Sequence, residues 1–186
     1  MPYSENSSLL ETLLLTPCLL TGETRCEESK ASIWAKPQTA ETMLFFHIDD
    51  QSNPDCHLRQ YLYGNRTGEN ICDCIVFYAK GNERVFCFVE LKDNIKDLGK
   101  ATKQLINTYN HFKQCLRLKY ISKACIVAAG GSSLQEHQKY KQDLLRVFCK
   151  DNVKFIQRKS LENQDEFGDF LRGIPSKRKG KKKGKR

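Results

Sequence analysis

No stretch of eighteen or more apolar residues occurs in the chain, and the longest apolar segment near the N-terminus, Leu9 to Leu20, is broken by Glu11, Thr12, Thr16 and Pro17. A membrane-spanning helix is therefore not expected, and no membrane partner is implied. A secretory leader fits poorly as well, because nothing basic precedes that segment and Glu5 and Glu11 carry the opposite sign, so a cytoplasmic location is the expectation. Nine cysteines are present, but the count is odd and framework spacing is missing. Cys72, Cys74, Cys87, Cys125 and Cys149 fall inside apolar runs and are expected as reduced core residues. The paired C-x₂₋₄-C ligands of a structural zinc site are also missing: Cys72 and Cys74 alternate with apolar neighbours as a strand does, and Cys56-His57 stands alone. His47, His57, His111 and His137 have no ligand spacing, and neither an internal repeat nor a base-reading motif is visible.

What is present is the composition of a folded, water-soluble protein. The chain has 186 residues, 39% hydrophobic and 28% charged, enough for one domain with a real core and too few for two comfortable ones. We read residues 1–175 as that domain and residues 176–186 as a basic tail. The tail holds eight of the positive charges behind the net +9, leaving +1 for the rest. Within that rest, residues 1–60 carry four basic and nine acidic side chains, whereas residues 92–123 carry eight basic and two acidic. The tail is expected to be disordered, and reads as a nucleic-acid contact without sequence preference, a localisation signal or a solvated extension.

Periodicity predicts a short helix over Ser7 to Leu15, stopped by Pro17, and loop or helix over Thr21 to Pro37, where the acidic Glu27-Glu28 pair argues for exposure. Met43 to Ile48 reads as a strand or a helix end, and Gln51 to Asp55 as a turn. Ile71 to Tyr78 and Arg84 to Leu91 read as a hairpin around Lys80-Gly81-Asn82-Glu83. A helix from Asp97 to Leu116 or Leu118 buries Leu98, Ala101, Leu105, Thr108 and Phe112. A strand over Lys123 to Ala129, a helix over Ser133 to Cys149, a strand over Val153 to Gln157 and a helix over Leu161 to Leu171 complete the order. That order predicts an α/β layered domain with a mixed sheet.

One constellation carries chemistry. Strand alternation puts Asp73 on the face of Ile75 and Phe77, and Glu90 and Lys92 on the face of Phe86 and Phe88. The hairpin then brings Asp73, at the start of one strand, to the edge where Glu90-Leu91-Lys92 ends the other. Two carboxylates so placed repel one another unless neutralised, and Mg²⁺ or Mn²⁺ is the natural partner. Such an ion, held by Asp73, Glu90 and the backbone carbonyl of Leu91, polarises a phosphoryl oxygen, while Lys92 orients the attacking water. All three side chains are expected partly exposed in a cleft.

An acidic residue on one strand, an acidic-x-Lys on the next and a helix after it resemble the PD-(D/E)xK nuclease superfamily over roughly residues 70–130. The residue before Asp73 is Cys72 and not proline; Pro54-Asp55 spells the motif literally but lies in a turn far upstream. The resemblance implies a restriction-endonuclease-like three-layer fold and metal-dependent hydrolysis of nucleic acid, DNA before RNA. It also implies work as a homodimer or beside a partner protein in restriction, repair or phage defence. Branches of the superfamily add a Glu from an N-terminal helix and a Gln from the helix after the motif, for which Glu11 and Gln104 are the matching positions. Gln104 and Tyr109 resemble the Gln-x-x-x-Tyr element of RecB-like nucleases, one residue too long. Lys96, Lys100 and Lys103 recur on one face of the same helix and read as a phosphate track. Two rival readings are a catalytically silent nuclease fold serving nucleic-acid binding or assembly, and a merely structural hairpin in which Glu90 and Lys92 form a surface pair worth little.

Overall fold

A computed structural model describes residues 17–49, 56–64, 70–93, 97–116, 119–128, 134–157 and 165–175. The predicted helix at Ser7, and with it Glu11, lies outside them, as do Asp55, Lys96 and the basic tail. Along the described residues the order is β1 (Arg25–Glu28), β2 (Ala31–Trp34), β3 (Glu41–His47), α1 (His57–Tyr63), β4 (Cys74–Lys80), β5 (Glu83–Lys92), α2 (Leu98–Cys115), β6 (Ile121–Ala128), α3 (Leu134–Leu145), β7 (Val153–Gln157) and α4 (Glu166–Leu171).

Five strands form one mixed sheet in the order β3-β4-β5-β6-β7. The first three are an antiparallel meander, and β5, β6 and β7 are parallel, as the α2 and α3 crossovers require. The β4–β5 turn closes over two residues between Lys80 and Glu83; Gly81 takes φ 55° at its first central position, a conformation that glycine reaches without a Cβ clash. Strand alternation divides the core into two layers. Ile75, Phe86, Phe88, Ala124 and Ile126 pack under Leu58 and Leu62 of α1, Leu98, Ala101, Leu105 and Phe112 of α2, and Leu144 of α3. On the opposite face Cys74, Val76, Cys87, Val89 and Val127 pack under Ala31 and Ile33 of the β1–β2 hairpin and Phe167 and Phe170 of α4. The molecule is thus an α/β domain with a five-stranded mixed sheet, helices on one face, and a hairpin with one short helix on the other. All five residues named for the buried face of α2 lie inside.

Several expectations need correction. Thr21 to Pro37 holds the antiparallel β1–β2 hairpin, not loop or helix. Its turn passes through Ser29 at φ 50°, a position without the glycine or asparagine that would have flagged it. No element was predicted over His57–Tyr63, and α1 forms there. Cys74 is not a reduced core thiol, since it is disulfide-bonded to Cys26 of β1. Cys149, beyond the end of α3, is exposed.

The layer carrying α4 is fastened by buried charge. Lys123, inside β6, donates to the carbonyls of Phe170 (2.5 Å), which also accepts from the Gly173 N–H (3.1 Å), and Leu171 (3.1 Å) at the end of the helix. Arg172 follows α4 and bonds Glu41 of β3 (3.0 Å) and Asp165 (2.9 Å). That guanidinium holds the Glu41 carboxyl down at about 2.

Candidate functional site

The β4–β5 pairing ends at Cys74 opposite Val89, so one further step sets Asp73 across from Glu90. The geometry closes there through the side chain: the Leu91 N–H donates to Asp73 Oδ2 at 2.5 Å. The Asp73 carbonyl accepts from Ile48 N at 2.9 Å, tying the same residue to the end of β3. Lys92, two residues along from Glu90 and therefore on the same face, sets its Nζ 2.5 Å from Glu90 Oε1. Asp73, Glu90, Leu91 and Lys92 are thereby brought together at one sheet edge.

The acids are not partly exposed, as the sequence suggested. Asp73 is 2% and Glu90 0% exposed, and only Lys92 keeps a path to solvent, with 15% of its side chain open. Beyond the ion pair with Lys92, Glu90 meets the Asp73 backbone, which lowers its pKa, but neither of its oxygens makes a hydrogen bond of good geometry. Burial disfavours the charged form of both acids. It carries Asp73 up to about 8, against the opposing Leu91 N–H and Lys92 ammonium. It carries Glu90 up to about 9, with Asp73 adding to the rise and Lys92 opposing it. Burial pulls the Lys92 ammonium downward, but the Glu90 and Asp73 carboxylates outweigh it and the net direction is up.

Two acids near this edge escaped the sequence reading. Glu28 ends β1, and its charge raises both Asp73 and Lys92. Asp49, just past β3, is itself raised by burial, opposed by Arg59 at 3.6 Å and reinforced by Glu28. Glu28 is held there by its neighbours. Ser29 Oγ donates to Asp93 Oδ2 at 2.7 Å, the Lys30 N–H donates to Asp93 Oδ1 at 2.8 Å, and the Cys26–Cys74 bond fastens the same hairpin beside Asp73. Nothing local in the sequence relates Glu28 to a strand 45 residues downstream, since only the folded hairpin brings them together.

Gln104 faces inward from α2 with 4% exposure; its Nε2 donates to the Ile71 carbonyl at 2.7 Å, and its Oε1 has no partner. It lines the approach of β4, two residues before Asp73, and orders that backbone. Thr108 does the same one turn on, accepting from Cys72 N at 2.9 Å. Tyr109 is in the aromatic core, its ring against Phe88 and Phe148, so the Gln-x-x-x-Tyr likeness does not extend to a shared placement at the edge. Lys100 and Lys103 are exposed on α2.

Among the described residues, no three His, Cys, Asp or Glu side chains are disposed to hold a metal ion together. Asp73 and Glu90 make a pair, which still fits Mg²⁺ or Mn²⁺, because Mg²⁺ keeps several waters and takes one or two carboxylates with substrate phosphate oxygens. A sealed Glu90 carboxyl with a single ammonium beside it is the observation that favours a cation. No family model matches the chain, and neither a curated protein nor a solved structure does. None of the helices described is long and apolar enough to cross a membrane.

Proposed function

We propose that this chain is a divalent-metal-dependent nuclease of the PD-(D/E)xK kind, with a restriction-endonuclease-like fold and nucleic acid, DNA before RNA, as substrate. The observation that carries the reading is the meeting of Asp73, Glu90 and Lys92 where the β4–β5 ladder ends. Two carboxyls are buried there with a single ammonium beside them, a charge arrangement that a hard dication completes. Asp73, Glu90 and the Leu91 carbonyl would hold Mg²⁺ or Mn²⁺, and the ion supplies Lewis acidity and a more acidic water. Lys92 is the group placed to orient a water and to stabilise charge developing on phosphate. The Leu91 N–H fixes the Asp73 carboxyl in its rotamer, and Gln104 steadies the backbone leading into it. Lys100 and Lys103 extend positive charge from the start of α2 towards a phosphate chain.

One observation favours the silent, nucleic-acid-binding or assembly reading: the acids are sealed from solvent, and catalysis requires them to be reached. A cleavage assay separates the two. Plasmid, linear duplex, single-stranded DNA and RNA are each incubated with Mg²⁺, Mn²⁺, Ca²⁺ or chelator. Cleavage with Mg²⁺ or Mn²⁺, lost in chelator and in Asp73→Asn but retained in Asp55→Asn, is the expected result. No cleavage of any substrate with either ion refutes the nuclease reading.

A further inference from the structure

Helices α2 and α3 do not close fully on one another. Gly99 allows their near approach at one end, where a Cβ would stand 3.0 Å from the Tyr140 hydroxyl. Beyond it a groove of about 720 Å³ runs between the helices. Lys100 and Lys103 line it from α2, and Lys139 and Arg146 from α3 and its C-terminal extension. Asp143 is the one carboxylate in the lining, and Arg146 engages it at 3.0 Å. Four cations therefore face one acid across an open trough. The Arg146 side chain is 77% exposed, so its fork is available to a ligand despite that contact.

One further feature points to an anion. The N-terminus of α2 opens onto the same end, and its first-turn N–H groups receive no side-chain cap from Asp97. The lining of the groove also begins, at Gly99, seven residues after Lys92 in the sequence.

We propose that the α2–α3 groove binds a nucleic-acid strand by its phosphodiester backbone, with Lys139 and Arg146 as the contacts on α3 and Lys100 and Lys103 as those on α2. The proposal deepens the nuclease reading and rests on it for the identity of the polyanion. It gives the strand a course from the sheet edge along the cleft between two helices, where a stripe on one helix alone would hold it weakly.

The test uses the full chain, with its tail, and fluorescent single-stranded and duplex DNA in chelator, so that binding is read without cleavage. Lys139→Glu with Arg146→Glu is compared with Lys119→Glu and Lys150→Glu, which alter net charge equally at exposed positions outside the groove. The groove pair is expected to lose at least about tenfold in affinity at low salt and to flatten the salt slope by about 1.4 for single strands. The control pair is expected to change neither by more than about twofold. Equal losses in the two double variants, or none in either, overturn the proposal. A groove pair that loses affinity for inorganic polyphosphate but keeps it for DNA overturns the nucleic-acid assignment. In a separate cleavage arm, the groove pair is expected to raise KM with kcat retained. If wild type cleaves nothing while the groove pair still loses binding selectively, the groove stands and the nuclease reading falls. If wild type cleaves while binding is independent of the groove residues, the nuclease reading stands and the groove falls.

Discussion

The metal-free protein is expected to lose stability as pH rises through neutrality, against the common pattern in which acid is the threat. Asp73 and Glu90 rise to about 8 and 9 from ordinary values of 3.8 and 4.5. A carboxyl whose folded value is raised holds its proton more tightly in the native state, so its contribution is whole below the ordinary value and is lost as pH climbs towards the folded one. Each group then contributes a slope of at most about 1.4 kcal/mol per pH unit, or about 2.7 for the pair. Water entering as the carboxyls ionise relieves part of this, and a net slope of about 1 kcal/mol per unit between about pH 6 and pH 8 is the expected result. Glu41, held down at about 2, acts in the opposite sense but only in more acidic solution. Denaturant titrations in chelator at several pH values measure the slope. Repeating them with Mn²⁺ should flatten it, because the ion binds the deprotonated native pair and not the unfolded chain. Stability that is flat or increasing across that window in chelator refutes the argument, and with it the electrostatic case for a cation.

The remaining predictions concern single groups. Glu90→Gln and Asp73→Asn keep the shape and remove the charge, so each should abolish metal-dependent cleavage by orders of magnitude in a single-turnover assay and reduce the pH slope of stability in chelator, with the circular dichroism spectrum unchanged. Lys92→Ala should retain Mn²⁺ affinity by calorimetry while lowering kcat by roughly a hundredfold, since an ammonium is not a metal ligand. Truncation after Pro175 removes eight positive charges and should weaken DNA binding and flatten its salt dependence; unchanged affinity and slope would exclude the tail from binding. Arg172→Met removes the guanidinium from the Glu41 carboxylate, which keeps Lys80 at 3.4 Å, the Tyr78 hydroxyl at 3.3 Å and the Gln38 N–H at 2.8 Å. It should cost about 2 kcal/mol by urea denaturation near neutral pH, and less once Glu41 can take up a proton.

Much of the sheet was legible because its signals are local. Residues 71–92 show β-branched and aromatic alternation on both sides of a Gly-Asn turn, and the Asp73–Glu90 opposition follows from counting back from that turn. The inward face of α2 was legible for the same reason, through its 3.6-residue spacing. The β1–β2 hairpin was not. Its strands are four residues each, its turn carries Ser29 where glycine would be diagnostic, and Glu27-Glu28 reads as a solvated pair. Its inward positions, Cys26, Ala31 and Ile33, are small or isolated and give no strong period.

That omission bears on the error about exposure at Asp73, whereas Glu90 shares the face of Phe86 and Phe88, which the helical layer covers. A sheet edge drawn from β4 and β5 alone leaves two acids looking outward, whereas the hairpin is fastened to the residues that flank them: Cys26 to Cys74, next to Asp73, and Ser29 and Lys30 to Asp93, next to Lys92. The fastening brings Glu28 up to the pair, so the element that helps to raise Asp73 is the one the sequence concealed. A residue pattern can place charged groups on a face of a strand. It does not say what lies over that face, and for a carboxyl the covering decides between an open anion and a protonated, cation-seeking pair. The nuclease reading therefore stands or falls on whether a divalent ion displaces those protons. Titrating chelator-treated protein with Mn²⁺ in a weakly buffered solution near pH 7 should release up to about two protons per chain. Asp73→Asn and Glu90→Gln should each release fewer, and no release from wild type would mean that the pair is a buried acid dyad with a structural role alone.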